Sequence, residues 1–134
     1  MEGDLVDTLS VAAHTLNGVR LGDGQSSLGN EYSIVSEIDT NEGWWLDIEL
    51  PSGDSVFVLN GVIVGVDIES SVVSSGRQLI GGTACDAMVA IGGDWSEEVL
   101  DAGDGCYRFF TSEDGLVVVA EINGLVTSVG LFVD

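Results

Sequence analysis

The chain has 134 residues, 45% of them hydrophobic, which suffices for one domain with its own apolar core and argues against disorder. Three basic residues, Arg20, Arg77 and Arg108, stand against 23 acidic ones, with no lysine, for a formal charge of -20. Such a field repels nucleic-acid phosphates and anionic lipid and favours cationic protein surfaces, so neither nucleic acid nor membrane is an expected partner. The same charge also suits a chain kept in solution by repulsion or drawn from a salt-loving host, so by itself it names no partner.

In chain order, Asp4 to Leu16 places Leu5, Leu9, Ala12, Ala13 and Leu16 on one face at helical spacing and stops at Asn17-Gly18, which predicts a helix over residues 4–16. Glu2, Asp4 and Asp7 lie where a signal peptide carries positive charge, so a cytoplasmic location is expected. Gly22 to Tyr32, rich in glycine and serine, reads as a degraded helix.

Two similar stretches follow. Trp45 to Gly53 and Tyr107 to Gly115 each run from an aromatic residue to a turn glycine, and each leads into an apolar run that ends in Asn-Gly, at Asn60-Gly61 and Asn123-Gly124. Asn and Gly tolerate the positive φ that both central residues of a tight hairpin turn require, so two hairpins are predicted. A third strand follows each turn, with Val62, Val64, Val66 and Ile68 in the first and Leu125, Val129, Leu131 and Val133 in the second. No apolar run is long enough to cross a membrane; Val62 to Ile68 is interrupted by Asp67. Before the second meander, Thr83 to Gly92 predicts a short helix with Thr83 as N-cap, Asp86 at the third position and Gly92 as its stop.

The expected fold class is therefore α+β: a duplicated helix-plus-antiparallel-β-meander unit, its strands forming one sheet or two packed sheets with short helices on one face. It reads as a single domain, 1–134, of two units at about 19–69 and 76–134, joined by the serine-rich Glu69 to Gly76. The first strands conflict in parity, because Leu46, Ile48 and Leu50 are the apolar set in one copy whereas Tyr107 and Phe109 align with Trp45 and Asp47 in the other. Either a bulge shifts the register or the two strands bury opposite faces.

Catalytic chemistry finds little to work with. His14 is the sole imidazole, so a nucleophile and base pair is not expected, and Cys85 and Cys106 lack the paired spacing for zinc and are too few for a disulfide scaffold. Acidic turns such as Asp101 to Asp104 do not match a calcium loop, and the glycines around Gly22-Asp23-Gly24 and Gly81-Gly82 match no phosphate-binding fingerprint. No enzyme, cofactor or metal is expected. A recognition surface remains: Trp45, Asp47 and Glu49 share one strand face, and Asp94, Trp95, Glu97 and Glu98 form an aromatic-acidic loop. Either group suits a basic patch on a partner protein, although Trp44, Trp45 and Trp95 also suit a core.

Gly76-Arg-Gln-Leu-Ile-Gly81, the capped helix ending at Ile91-Gly92, the aromatic strand and the closing Gly124-Leu-Val-Thr-Ser-Val129 resemble small cytoplasmic immunity proteins of bacterial polymorphic toxin systems. The resemblance covers mainly residues 76–134. The helix-plus-meander duplication is similar in architecture to β-lactamase inhibitor proteins. Both resemblances imply a stoichiometric cytoplasmic neutraliser with no chemistry of its own, and the expected function is an immunity or antitoxin protein that binds a cognate toxin enzyme and blocks its active-site region. A secreted or periplasmic inhibitor or binding domain, and an enzyme with an unrecognised carboxylate site, stay open as other classes.

Overall fold

Residues 7–113 and 115–133 are described by the computed structural model. The chain opens with three two-residue strands, β1 (Leu9–Ser10), β2 (Thr15–Leu16) and β3 (Val19–Arg20), paired as a small antiparallel sheet. The predicted N-terminal helix is therefore corrected over its described part; residues 4–6 lie outside the described residues. His14 and Asn17 sit at φ 57° and 52°, values no right-handed helix contains. The helical spacing of Leu9 and Leu16 comes instead from a hairpin that places them directly opposite each other, while Ala12 and Ala13 are exposed.

After a single 3-10 turn at Gln25–Leu28, four strands form a meander: β4 (Ser33–Thr40), β5 (Gly43–Glu49), β6 (Ser55–Leu59) and β7 (Val62–Ile68). A short ribbon, β8 (Val73–Ser74) with β9 (Arg77–Gln78), and one helix, α1 (Ala84–Ile91), lead to a second meander. Its strands are β10 (Ser96–Ala102), β11 (Gly105–Ser112), β12 (Gly115–Ile122) and β13 (Leu125–Phe132). The expected α+β class is thus overturned: the fold is mainly β, with an eight-stranded antiparallel sheet of order β10-β11-β12-β13-β7-β6-β5-β4. Among the described residues an α-helix stands before the second meander only, so the helix-plus-meander unit occurs once. Helix α1 itself begins as predicted, with the Thr83 hydroxyl accepting from the Asp86 N–H at 3.1 Å, and it ends at Gly92 with φ 78°.

What repeats is a four-stranded meander. Both Asn-Gly turns take left-handed φ, 53° at Asn60 and 55° at Asn123. Each last hairpin then carries one unpaired residue at the same distance from its turn, Val64 against β6 and Thr127 against β12. The shift that carries Asn60 onto Asn123 also carries Val66 onto Val129 and Ile68 onto Leu131. At the junction Val129 pairs with Ile68 and Leu131 pairs with Val66, so each last strand binds its own counterpart about a local two-fold centred on Asp67 and Gly130.

The parity conflict dissolves in the register. Leu46 pairs with Val58 and Phe110 with Val117, so β5 and β11 bury the same face, and Tyr107 and Phe109 point the other way together with Trp45 and Asp47. On the buried face, Ile48, Val56, Val58, Ile63, Val66, Val117, Val119 and Leu131 meet Leu9, Leu16, Val19, Leu21, Val72 and Leu79 from the N-terminal and linker segments. Ala84, Ala87 and Ala90 of α1 complete this core. Each fully buried Val, Leu or Ile side chain stabilises the fold by about 1.5–3 kcal/mol relative to exposure. The core thus lies on one side of the sheet, which leaves the residues of opposite parity on an outer face.

Candidate binding surface

Strand alternation decides what the outer face carries. Register partners share a face, so Phe57 stands between Asp47 and Gly65, and Gly65 is followed by Phe132 and Leu116 across the whole sheet. Three rings form a stacked row: Trp45 and Phe57 with centroids 5.9 Å apart, and Phe57 and Phe132 at 5.5 Å. Phe132 fits because Gly65 and Gly130 beneath it have no side chains; a Cβ at Gly130 would lie 2.6 Å from the ring. All three rings are half-exposed. On the second meander Phe109, Tyr107, Leu100 and Val118 continue the apolar surface, with Tyr107 and Leu100 exposed.

Carboxylates are set among these rings. Asp47 accepts from the Trp45 indole N–H at 2.7 Å and from the Ser36 hydroxyl at 3.0 Å, which fixes the indole against the sheet. Glu49 is exposed on the same strand face, and Glu98 stands opposite Phe109. Asp67 sits half-buried at the centre of the junction. Burial, and after it the charges of Glu69 and Asp54, push its carboxyl up to about 6, against the opposing effect of a hydrogen bond with Ser128.

Of the residues expected from sequence to bind a partner, Trp45, Asp47, Glu49 and Glu98 therefore share this outer face. Asp94, Trp95 and Glu97 do not join them. Asp94 is exposed in the turn after α1, and Trp95 packs against the core with its indole N–H donating to the Gly92 carbonyl at 2.6 Å. Glu97 points to the helix side of the sheet. Trp44, by contrast with a core role, is 45% exposed. Phe57, Asp67, Tyr107, Phe109 and Phe132 were missed as surface residues. Their signal was present in part: Phe57 alternates with Val56 and Val58, and a residue between two buried neighbours in a strand must face the other way.

The helix side holds a second concavity, a groove of about 870 Å³ between α1 and the β10–β11 edge, lined in part by Met88, Trp95, Phe110, Arg108 and Glu121. Its polar centre is an ion-pair chain. The Arg108 Nε donates to Glu121, which is buried, and its terminal nitrogen donates to Glu97 at 2.9 Å. Glu121 and then Glu97 raise the guanidinium pKa further, so this charge is permanent. The Cys106 thiol lies 3.6 Å from Glu121, and Cys85 is exposed on α1. His14 is exposed. Among the described residues no helix is long and apolar enough to cross a membrane, and no three of His, Cys, Asp and Glu converge in a metal-binding group.

Compared with protein-family models, with curated proteins and with solved structures, the chain matches none of them.

Proposed function

We propose that this chain is a stoichiometric binding protein whose outer sheet face seats the cationic active-site region of a partner enzyme, in the manner of an immunity protein neutralising a toxin. The observation that carries this reading is the half-exposed row of Trp45, Phe57 and Phe132 on an uninterrupted sheet face in a chain of charge -20. Rigid aromatic rings offer large apolar area at small entropic cost, and desolvated aromatics at the centre of an interface supply most of its energy. The surrounding Asp47, Glu49, Glu98 and Asp67 give the negative field that steers a basic surface onto the face and fixes its register. A nuclease or nucleotide-processing toxin, whose cleft must attract phosphate, has the complementary sign.

The test is a calorimetric titration with nuclease and nucleotide-processing toxin enzymes from the same host, together with the activity of any that binds. A 1:1 complex is expected, with activity lost at equivalence. Trp45→Ala or Phe132→Ala should weaken the complex by tenfold or more, about 1.4 kcal/mol or above. Association should also slow as ionic strength rises. A complex of unchanged affinity in both variants removes the outer face from the interface, and no complex at all removes the immunity reading.

A further inference from the structure

The eight-stranded sheet has two free edges, β4 and β10, and they differ. β4 meets β5 through a register break between Ile34 and Ser36, which leaves Val35 out of the ladder. Bulges of this kind guard edges against strand addition. β10 has no such break: seven consecutive pairs, from Ser96 with Thr111 to Ala102 with Gly105, run in register along β11. It contains no proline, glycine or lysine, and all seven residues are exposed. Among the described residues no loop or turn backbone bond reaches 96–102, so the outer row of N–H and C=O groups is presented to solvent.

Charge selects what fits there. Val99 and Leu100, 46% and 58% exposed, offer one apolar contact on each face of the strand. Around them stand Glu97 and Asp101 on the helix side and Glu98 on the outer side. A second copy of this chain laid along the same edge would set these carboxylates against their own kind, with -20 on each chain. An extended segment in which Lys or Arg alternates with apolar residues instead sets its cations on the helix side beside Glu97 and Asp101 and its apolar side chains on the outer side beside Leu100. We propose that β10 accepts a basic extended segment of a partner protein as a ninth strand of the sheet. This site shares Glu98 and Leu100 with the outer face but binds through the backbone edge of β10, and it does not depend on the reading given to that face.

The test uses an eight-residue peptide of alternating Lys and Val, blocked at both ends, titrated into the isotopically labelled protein and followed by backbone amide NMR. Shift changes and slowed amide exchange are expected at residues 96–102. A peptide of the same sequence N-methylated at every residue keeps its charge but loses the N–H donors of both edges, and it should bind at least about tenfold more weakly. Equal affinity for the methylated peptide, shifts centred on Trp45 and Phe132 or on the α1 groove, or no binding would each overturn the proposal. So would slowed exchange at 96–102 that grows with protein concentration without peptide, which would assign the edge to a second copy. Because these readouts use no toxin enzyme and no outer-face variant, their failure is distinguishable from failure of the toxin titration.

Discussion

Phe132 of β13 covers Gly65 of β7, the neighbouring strand across the junction of the two meanders, so closely that a Cβ on Gly65 would overlap the ring. An aromatic ring laid over a glycine shields backbone that would otherwise be bare, and here it does so where the two halves of the sheet meet. The same placement brings Phe132 into line with Phe57 and Trp45. The junction and the proposed binding row therefore depend on one another.

Gly65→Ala should push the ring aside and destabilise the protein by about 1–3 kcal/mol, the usual range for overpacking. In a Phe132→Ala background the same substitution should cost much less, because the two positions share one space. Urea unfolding of the four proteins checks this; equal costs in both backgrounds would show that the ring does not occupy that space.

Asp67 should make stability depend on pH in the direction opposite to a salt-bridged carboxylate. Its carboxyl titrates at about 6 in the folded chain against the ordinary 3.8, so the folded state holds the proton more tightly. The resulting stabilisation is fully present below the lower value and is lost as pH rises through the upper one. Asp67→Asn, which keeps an acceptor for Ser128, should leave stability near pH 4 almost unchanged. At pH 8 it should raise stability by about 1–2 kcal/mol, a figure reduced for partial exposure. Paired urea midpoints at the two pH values check this.

Arg108→Met should strand the buried carboxylate of Glu121 and cost about 2–4 kcal/mol, allowing for the partial exposure of the guanidinium. Arg108→Met with Glu121→Leu removes both charges and should recover most of that loss, since well-packed apolar replacements of buried pairs are often neutral. Thermal unfolding of the single and double variants provides the comparison.

Much of the fold was legible where local chemistry is strict. Asn60-Gly61 and Asn123-Gly124 named two hairpins because few other residues accept their φ, and Thr83 with Asp86 named the start of α1. The long strands that escaped notice, β4 and β10, are the edges of the main sheet. Their exposed, acidic residues show no apolar alternation, because an edge strand packs on one neighbour only and Ser96–Ala102 buries no side chain. The false N-terminal helix arose because a hairpin that sets Leu9 against Leu16 spaces them as two helical turns would. For the candidate site, Trp45, Asp47 and Glu49 were readable from alternation along one strand. Phe132 was not, since its place beside Phe57 depends on the junction between β7 and β13, a pairing between distant segments that no local pattern encodes.

The most direct test of the account is hydroxyl-radical footprinting of the chain alone and in complex with the toxin enzyme it binds, read by mass spectrometry at single residues. The account predicts that Trp45, Tyr107, Phe109 and Phe132 lose reactivity on binding while Met88 and Trp95, on the helix side, keep theirs. Protection of Met88 and Trp95 with the outer aromatics left reactive would contradict it.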